Sequence, residues 1–149
     1  MNRRGMTLIE LMIVVVILAI LANLAVPALN VLRVRADAAH IVGDFEAVRV
    51  AAFDRFAAAG SYPATGAWGQ IPPELVGSLP SNFQFTYKDA TYRWHSWLLP
   101  SGLPSNPTQS VLLGLDVQSA DPDLMAALAG AFRSGVAFGT PTEITLVIE

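Results

Sequence analysis

The sequence predicts an α+β protein in which one long N-terminal helix packs on a small antiparallel sheet. Two observations predict the helix: residues 11–32 carry no charge, and an amphipathic pattern with helical spacing follows without a strong break until Gly60. A third observation predicts the sheet, because short segments of the second half alternate apolar and polar side chains. A chain of 149 residues has room for one domain and an appendage.

The composition argues against several classes of protein. Apolar residues make up 53% of the chain, and much of that excess lies in the first 32 residues, so the remainder can form an ordinary globular domain. The absence of cysteine excludes disulfides, and two histidines are too few for a typical structural zinc site. The net charge is −3 and Lys88 is the only lysine, so no nucleic-acid partner is expected. No common catalytic motif is present, and we predict no enzyme activity, no cofactor and no metal.

The first half of the helix is long enough to cross a bilayer. Residues 11–32 would span about 33 Å as a helix, against a hydrocarbon core of about 30 Å. Arg3 and Arg4 precede this run, which places the N-terminus in the cytoplasm and the rest of the chain outside. A cleaved secretory signal is one alternative, but its apolar region is normally only about 7 to 15 residues long. A plain membrane anchor is another, and it gives no reason for the acid Glu10.

Polar and small residues inside the apolar run suggest further roles. An acid at mid-membrane costs about 2.5–3.5 kcal/mol, and less near the edge, so Glu10 requires a partner. Pro27 cannot donate to the carbonyl of Asn23, which predicts a helix kink at these two residues. Three alanines recur at a spacing of three, which indicates either close helix approach or simple tolerance of alanine; they are Ala19, Ala22 and Ala25.

Residues 5–12, Gly-Met-Thr-Leu-Ile-Glu-Leu-Met, resemble the type III signal of type IV pilins and of the pseudopilins of type II secretion. That signal has a short basic leader, a glycine, and a Thr-Leu-Ile-Glu-Leu core that opens an apolar helix. The resemblance implies that prepilin peptidase cuts after Gly5 on the cytoplasmic side and N-methylates Met6, where the family most often has phenylalanine. It also implies four regions, namely a leader (1–5), a transmembrane or filament-core helix (6–32), an amphipathic continuation (33–59) and a globular pilin-like domain (60–149).

The function implied by this resemblance is that of a structural subunit, major or minor, of a type IV pilus or a type II secretion pseudopilus. Its partners would be other pilin-like subunits in a homo- or hetero-polymer, prepilin peptidase, and an inner-membrane assembly platform with its ATPase. The subunit would be a single-pass inner-membrane protein before assembly, and then part of a periplasmic or extracellular filament. Glu10 would pair with the α-amine of Met6 in a neighbouring copy. A pair within one chain stays open, because four residues separate the two by about 6 Å along the axis.

A different class also remains open, a membrane-anchored extracytoplasmic binding domain that does not polymerise. In that protein Trp68, Trp94 and Trp97 would form a ligand surface.

Beyond the membrane the pattern predicts that the helix continues from residue 33 to Ala59, for a total length of about 80 Å from Met6. Arg33 and Asp37 are four apart and could pair, although a solvated face is the simplest interpretation of these charges, and His40 falls on the polar side as a solvated or packing residue. The apolar stripe expected to face the globular half consists of Val31, Val34, Ala38, Ile41, Phe45, Val48, Ala52 and Phe56.

The globular half is predicted to contain a loop over 60–82 with a helical turn at 73–77, and a hairpin of 83–87 with 92–96. His95 would lie beside Arg93 on the face opposite the hairpin aromatics. A loop over 98–107, strands at 110–117 and 143–148, and a helix from Asp121 through Phe132 complete the prediction. Two roles are weighed for the acids Asp116, Asp121 and Asp123: a calcium site, as in major pseudopilins, and the favoured one, capping of that helix. The aromatics expected to face the long helix are Phe83, Phe85, Tyr87, Tyr92 and Trp94.

Overall fold

A computed structural model describes residues 7–99, 111–132 and 137–148. Helix α1 (Leu8–Ala59) is followed by strands β1 (Thr86–Tyr87), β2 (Ala90–Leu98) and β3 (Val111–Gln118), helix α2 (Pro122–Ala131), and strands β4 (Ala137–Gly139) and β5 (Glu143–Ile148). The five strands form one antiparallel sheet in the order β1-β2-β3-β5-β4. The predicted α+β arrangement of a long helix and a small antiparallel sheet is confirmed.

Helix α1 contains 52 residues and ends where the sequence predicted. At about 1.5 Å per residue it is about 78 Å long. Gly60 adopts the left-handed conformation with φ 71°, which favours glycine, and its N–H donates to the carbonyl of Phe56 at 2.7 Å. Tyr62 then stacks on Phe56 with 4.5 Å between ring centroids. This aromatic contact holds the segment after Gly60 against the end of the helix.

The core lies between the upper half of α1, helix α2 and one face of the sheet. The predicted stripe is confirmed in its middle, but Val31 and Phe56 at its two ends are exposed, and Ala51 is buried in addition. The buried stripe is therefore shorter than the apolar pattern in the sequence, because the sheet covers only part of the helix. The residues of α1 that are buried are Ala38, Ile41, Phe45, Val48, Ala51 and Ala52.

The predicted hairpin is present, but its two strands, β1 and β2, differ greatly in length. Strand β1 has only two residues, and a turn in which the Phe83 N–H donates to the Pro80 carbonyl lies shortly before it. Strand β2 extends to Leu98, which the sequence placed in a loop. The aromatic face is confirmed, with Phe85, Tyr92 and Trp94 buried and the other two packed against them. Strand β4 was not predicted, since three residues are too few to show alternation.

Residues 65–69, which we call the strap, run beside β2 within the predicted loop. The amides of Gly66 and Gly69 donate to the carbonyls of Trp94 (3.0 Å) and Tyr92 (2.8 Å). The Thr65 hydroxyl donates to the Ser96 carbonyl at 3.0 Å and accepts from its amide. Strand β1 pairs only with Ala90 and Thr91 of β2, and the strap bonds the backbone of three later residues, Tyr92, Trp94 and Ser96.

Candidate assembly site at the start of α1

Helix α1 begins with a capping box made by Thr7 and Glu10. The Glu10 amide donates to Thr7 Oγ1 at 3.3 Å, and the Thr7 amide donates to Glu10 Oε2 at 3.3 Å. The Thr7 hydroxyl reaches the same carboxylate oxygen at 3.4 Å. Each residue thus satisfies a backbone amide that the helix leaves without a partner. This role was not predicted, although Thr-Leu-Ile-Glu has the Ser/Thr-x-x-Glu spacing that signals it.

The capping box turns the Glu10 carboxylate back toward the N-terminus. Both contacts use Oε2, and within the described residues Oε1 accepts no hydrogen bond. Gly5 and Met6 lie outside the described residues, so cleavage, methylation and the pairing of Met6 with Glu10 stay predictions.

The N-terminal half of α1, residues 8–32, is not buried by other parts of the described structure. By length and composition α1 is the one helix among the described residues that is apolar and long enough to cross a membrane, and none of that apolar stretch is buried. Its described side chains are exposed on every side of the helix, from Leu8 to Leu32. A helix that is apolar all round requires lipid or other helices as its surroundings.

Asn23 satisfies its own side chain inside the apolar run. Its Nδ2 donates to the carbonyl of Ala19 at 3.1 Å, one turn earlier. The backbone is helical through position 27. The side chains of Pro27 and Ala25 lie outside the described part of the structure, and the kink at Asn23 and Pro27 stays a prediction.

An ionic clip joins the β1–β2 turn to α1. Lys88 Nζ lies 2.6 Å from Asp37 Oδ2, and the Tyr87 hydroxyl donates to Asp37 Oδ1 at 3.1 Å. The hydrogen bond from Lys88 lowers the pKa of Asp37, and the same bond raises the pKa of Lys88. The pairing that helical spacing allows between Arg33 and Asp37 is not the one found, because Lys88, 51 residues away, binds this carboxylate. The fold therefore fixes this pairing, and helical spacing does not.

A second contact to α1 uses Asp44. The Tyr92 hydroxyl donates to Asp44 Oδ2 at 2.9 Å, and His40 Nδ1 lies 3.2 Å from the same oxygen. Burial raises the pKa of Tyr92 and the nearby Asp44 charge adds to it, so the phenol stays protonated as a donor. The His40 ring stacks on Tyr87 at 3.9 Å, which confirms a packing role for this histidine.

The outer face of the sheet holds a polar network around Asp116. This side chain is only 1% exposed, and its Oδ2 accepts from Arg93 Nε and lies 2.9 Å from His95 Nδ1. The Thr145 hydroxyl donates to its Oδ1 at 2.7 Å. Arg93 and Asp116 are direct cross-strand partners, as are Asp116 and Thr145. The carboxylate is buried but fully bonded, which is the condition under which a buried charge is stable.

The three tryptophans do not share a surface. Trp94 is buried in the core, where its Nε1 donates to the Pro63 carbonyl at 3.0 Å. On the outer face Trp68 lies over the Arg93 guanidinium at 4.3 Å, and Trp97 stacks on His95 at 3.7 Å. The proposed three-tryptophan ligand surface is wrong, because alternate residues of β2 point to opposite faces. His95 does lie on the outer face beside Arg93, as predicted.

The acids weighed as a calcium site have separate tasks. Asp121 accepts from the amides of Asp123 and Leu124, so its predicted capping of α2 is confirmed. Asp116 is engaged by the network on the sheet. Within residues 7–99, 111–132 and 137–148 no three His, Cys, Asp or Glu side chains come together as possible metal ligands.

Comparison with known proteins identifies the N-terminus. A family model described as the prokaryotic N-terminal methylation motif matches residues 1–22. Searches of curated proteins and of solved structures gave no match. The signal points to a structural protein processed by prepilin peptidase, and with the apolar half of α1 it fits a single-pass inner-membrane anchor. The chain carries, at residues 1–22, the prepilin-type signal of type IV pilins and pseudopilins.

Proposed function

We propose that this chain is a structural subunit of a type IV pilus or a type II secretion pseudopilus. The observation that carries the proposal is that the methylation motif leads directly into an uncovered apolar helix with a single acid, Glu10, near its start. Residues 1–5 form the leader, 6–32 the filament core, 33–59 the bracing helix, and 60–149 the head. An assembly platform and its ATPase supply the energy, and the subunit passes from the inner membrane into a periplasmic or extracellular filament.

Glu10 is central to this proposal because of its two possible sets of partners. In the single subunit the capping box gives the carboxylate two donors from Thr7. Cleavage after Gly5 creates a cation at Met6, and a buried ion without a partner costs several kcal/mol. A neighbouring copy shifted along the helix axis brings its Met6 amine to Glu10 Oε1, while Oε2 keeps its cap. This pairing neutralises both charges and favours one axial shift over others.

The alternative, a membrane-anchored binding domain that does not polymerise, is not supported by the positions of the tryptophans. A non-polymerising anchored domain was to bind a ligand through its tryptophans, and Trp94 is in the core. That class also gives Glu10 no partner outside its own chain.

The test of processing is the intact mass and N-terminal sequence of protein from a host with prepilin peptidase. We expect a chain that begins at methylated Met6, and a Gly5→Val variant that keeps the leader and stays in the membrane. Retention of residues 1–5 in the unmodified protein would contradict the proposal.

The test of assembly compares Glu10→Ala and Glu10→Gln with Thr7→Val. We expect both Glu10 variants to be processed but to give few or misaligned filaments, since each removes the charge. Thr7→Val keeps the charge and removes only the side-chain half of the cap, so filaments should still form. Unchanged filament yield from Glu10→Ala would show that the acid pairs only within its own chain.

A further inference from the structure

A crevice lies between α1 and the first turns of α2, on the side of the head nearest the uncharged run, and we call it the seam crevice. Its volume is about 280 Å³. The lining is mixed, because three of its side chains are apolar, one is an amide and two carry opposite charges. These residues are Val31, Val34, Ala127, Asn30, Arg35 and Asp123.

The two charges face the crevice from different helices, Arg35 from α1 and Asp123 from α2. Both residues are exposed, and in the part of the chain that the structure describes neither of them forms an ion pair. Asp37, two residues beyond Arg35, differs because Lys88 binds it. A ligand that satisfies the whole crevice must therefore carry an anion for Arg35, a cation for Asp123 and an apolar part.

The depth of the seam crevice follows from the length of the uncharged run. Residues 11–32 match the hydrocarbon core of a bilayer, so Leu32 lies at its outer boundary. Arg35 is three residues further along α1, or about 4.5 Å. The polar headgroup layer on each side of the hydrocarbon is about 5–7 Å thick. The crevice therefore opens within the headgroup layer when the uncharged run fills the bilayer.

We propose that the seam crevice binds the headgroup of a zwitterionic membrane phospholipid that carries a primary ammonium. Arg35 binds the phosphate, since a guanidinium matches phosphate oxygens with two parallel N–H donors, and the Asp123 carboxylate accepts from the ammonium. The inference rests on the membrane-inserted stage of the proposed function. The bound lipid holds the head on the outer surface of the membrane, and extraction of the subunit breaks this contact.

Other occupants fit the charges less well. An acyl chain or an apolar helix would bury Arg35 and Asp123 without partners, which is costly for a charged group. An anionic headgroup has no cation for Asp123. It also meets a second acid, because Asp121 caps the same end of α2. A zwitterion leaves neither charge of the crevice unpaired.

Native mass spectrometry of the full chain, released from detergent micelles, tests the site. Phosphatidylethanolamine and phosphatidylglycerol with identical acyl chains are added separately at equal concentrations. We expect the chain to bind one phosphatidylethanolamine about tenfold more tightly than phosphatidylglycerol, because hydrogen bonds to charged groups contribute free energies of this order. Equal affinity for the two lipids, or tighter binding of phosphatidylglycerol, would overturn the proposal.

The phosphate contact is tested with Arg35→Gln, which should weaken binding of phosphatidylethanolamine about tenfold. Arg33→Gln is the matched control, because Arg33 is exposed two residues away on the same helix but does not line the crevice. We expect Arg33→Gln to bind the lipid as the unmodified chain does. An equal loss from both variants would show unspecific attraction between arginine and phosphate, and the site would be refuted.

The ammonium contact is tested with Asp123→Asn, which should bring the affinities for the two lipids close together. Asp54→Asn is its control, since Asp54 is an exposed acid on the upper part of α1, and the preference should persist. A preference that survives Asp123→Asn would contradict the assigned role. None of these measurements needs a filament, so failure of the unmodified chain to polymerise overturns the proposed function and leaves the lipid result standing.

Discussion

The two halves of α1 are one continuous helix in two different environments. Above residue 37 the helix repeats a buried residue every three or four positions, and Ile41 and Val48 have no exposed surface. Below Leu32 every described side chain is exposed. The upper half gains its stability from the sheet, and the lower half must gain it from lipid or from other subunits. Changes in the head should therefore alter its folding without altering leader removal, and changes at Glu10 should alter assembly without altering the folding of the head.

The largest expected effect comes from the core of the head. Leu115→Ala removes a side chain with no exposed surface and should lower the free energy of unfolding by about 2–5 kcal/mol. Tryptophan fluorescence of the detergent-solubilised full chain in urea measures it.

Leu98→Ala is the matched control in the same sheet, because Leu98 is 80% exposed and its loss should change stability by less than about 0.5 kcal/mol. Both variants should lose residues 1–5 at the normal rate. Slower processing of Leu115→Ala would mean that the two halves are not independent.

The next effect comes from the Asp116 network. Asp116→Asn removes the charge that holds Arg93 and His95, and hydrogen bonds to charged groups contribute about 1.5–3 kcal/mol. We expect a loss in that range by urea unfolding. Glu143→Gln is the control, since Glu143 is an outlying partner of Arg93 at 3.4 Å and half-exposed. An equal loss from both variants would show that the network does not centre on Asp116.

The smallest effect is the pH dependence of the clip between Asp37 and Lys88. The pKa of Asp37 is below its usual 3.8, so its contribution is present above that pH and is lost as the pH falls through the folded-state pKa. The pKa of Lys88 is above its usual 10.5, so its contribution is present below that pH and is lost as the pH rises through the folded-state pKa.

The thermal midpoint of Lys88→Met should therefore fall below that of the unmodified chain between these limits and converge with it outside them. Lys88→Arg keeps the charge and should follow the unmodified chain. A constant difference at every pH would show that packing, rather than charge, fixes the turn.

Local signals in the sequence predicted much of this fold. The helix and its end at Gly60 follow from periodicity and a left-handed glycine, and the start of α2 follows from Asp121 before Pro122. The Thr7 cap was also readable, since its partner is three residues away.

What local signals could not supply is register between distant segments. Asp116 reads as one acid in an apolar strand until the sheet places Arg93 opposite it, 23 residues away. Asp37 likewise has Arg33 nearby on its own helix, yet the sheet brings Lys88 closer. Strand β4 depends wholly on pairing with β5, which its own three residues do not signal.

The strap beside β2 has a consequence for crowding. Unpaired strand edges promote aggregation, and this risk rises where many identical heads lie close together on a membrane. In the described part of the sheet, β1 and the strap occupy one border, and the other ends in the three residues of β4. These borders disfavour pairing between the sheets of crowded heads, and under the proposed function the apolar half of α1 is then the surface through which copies assemble.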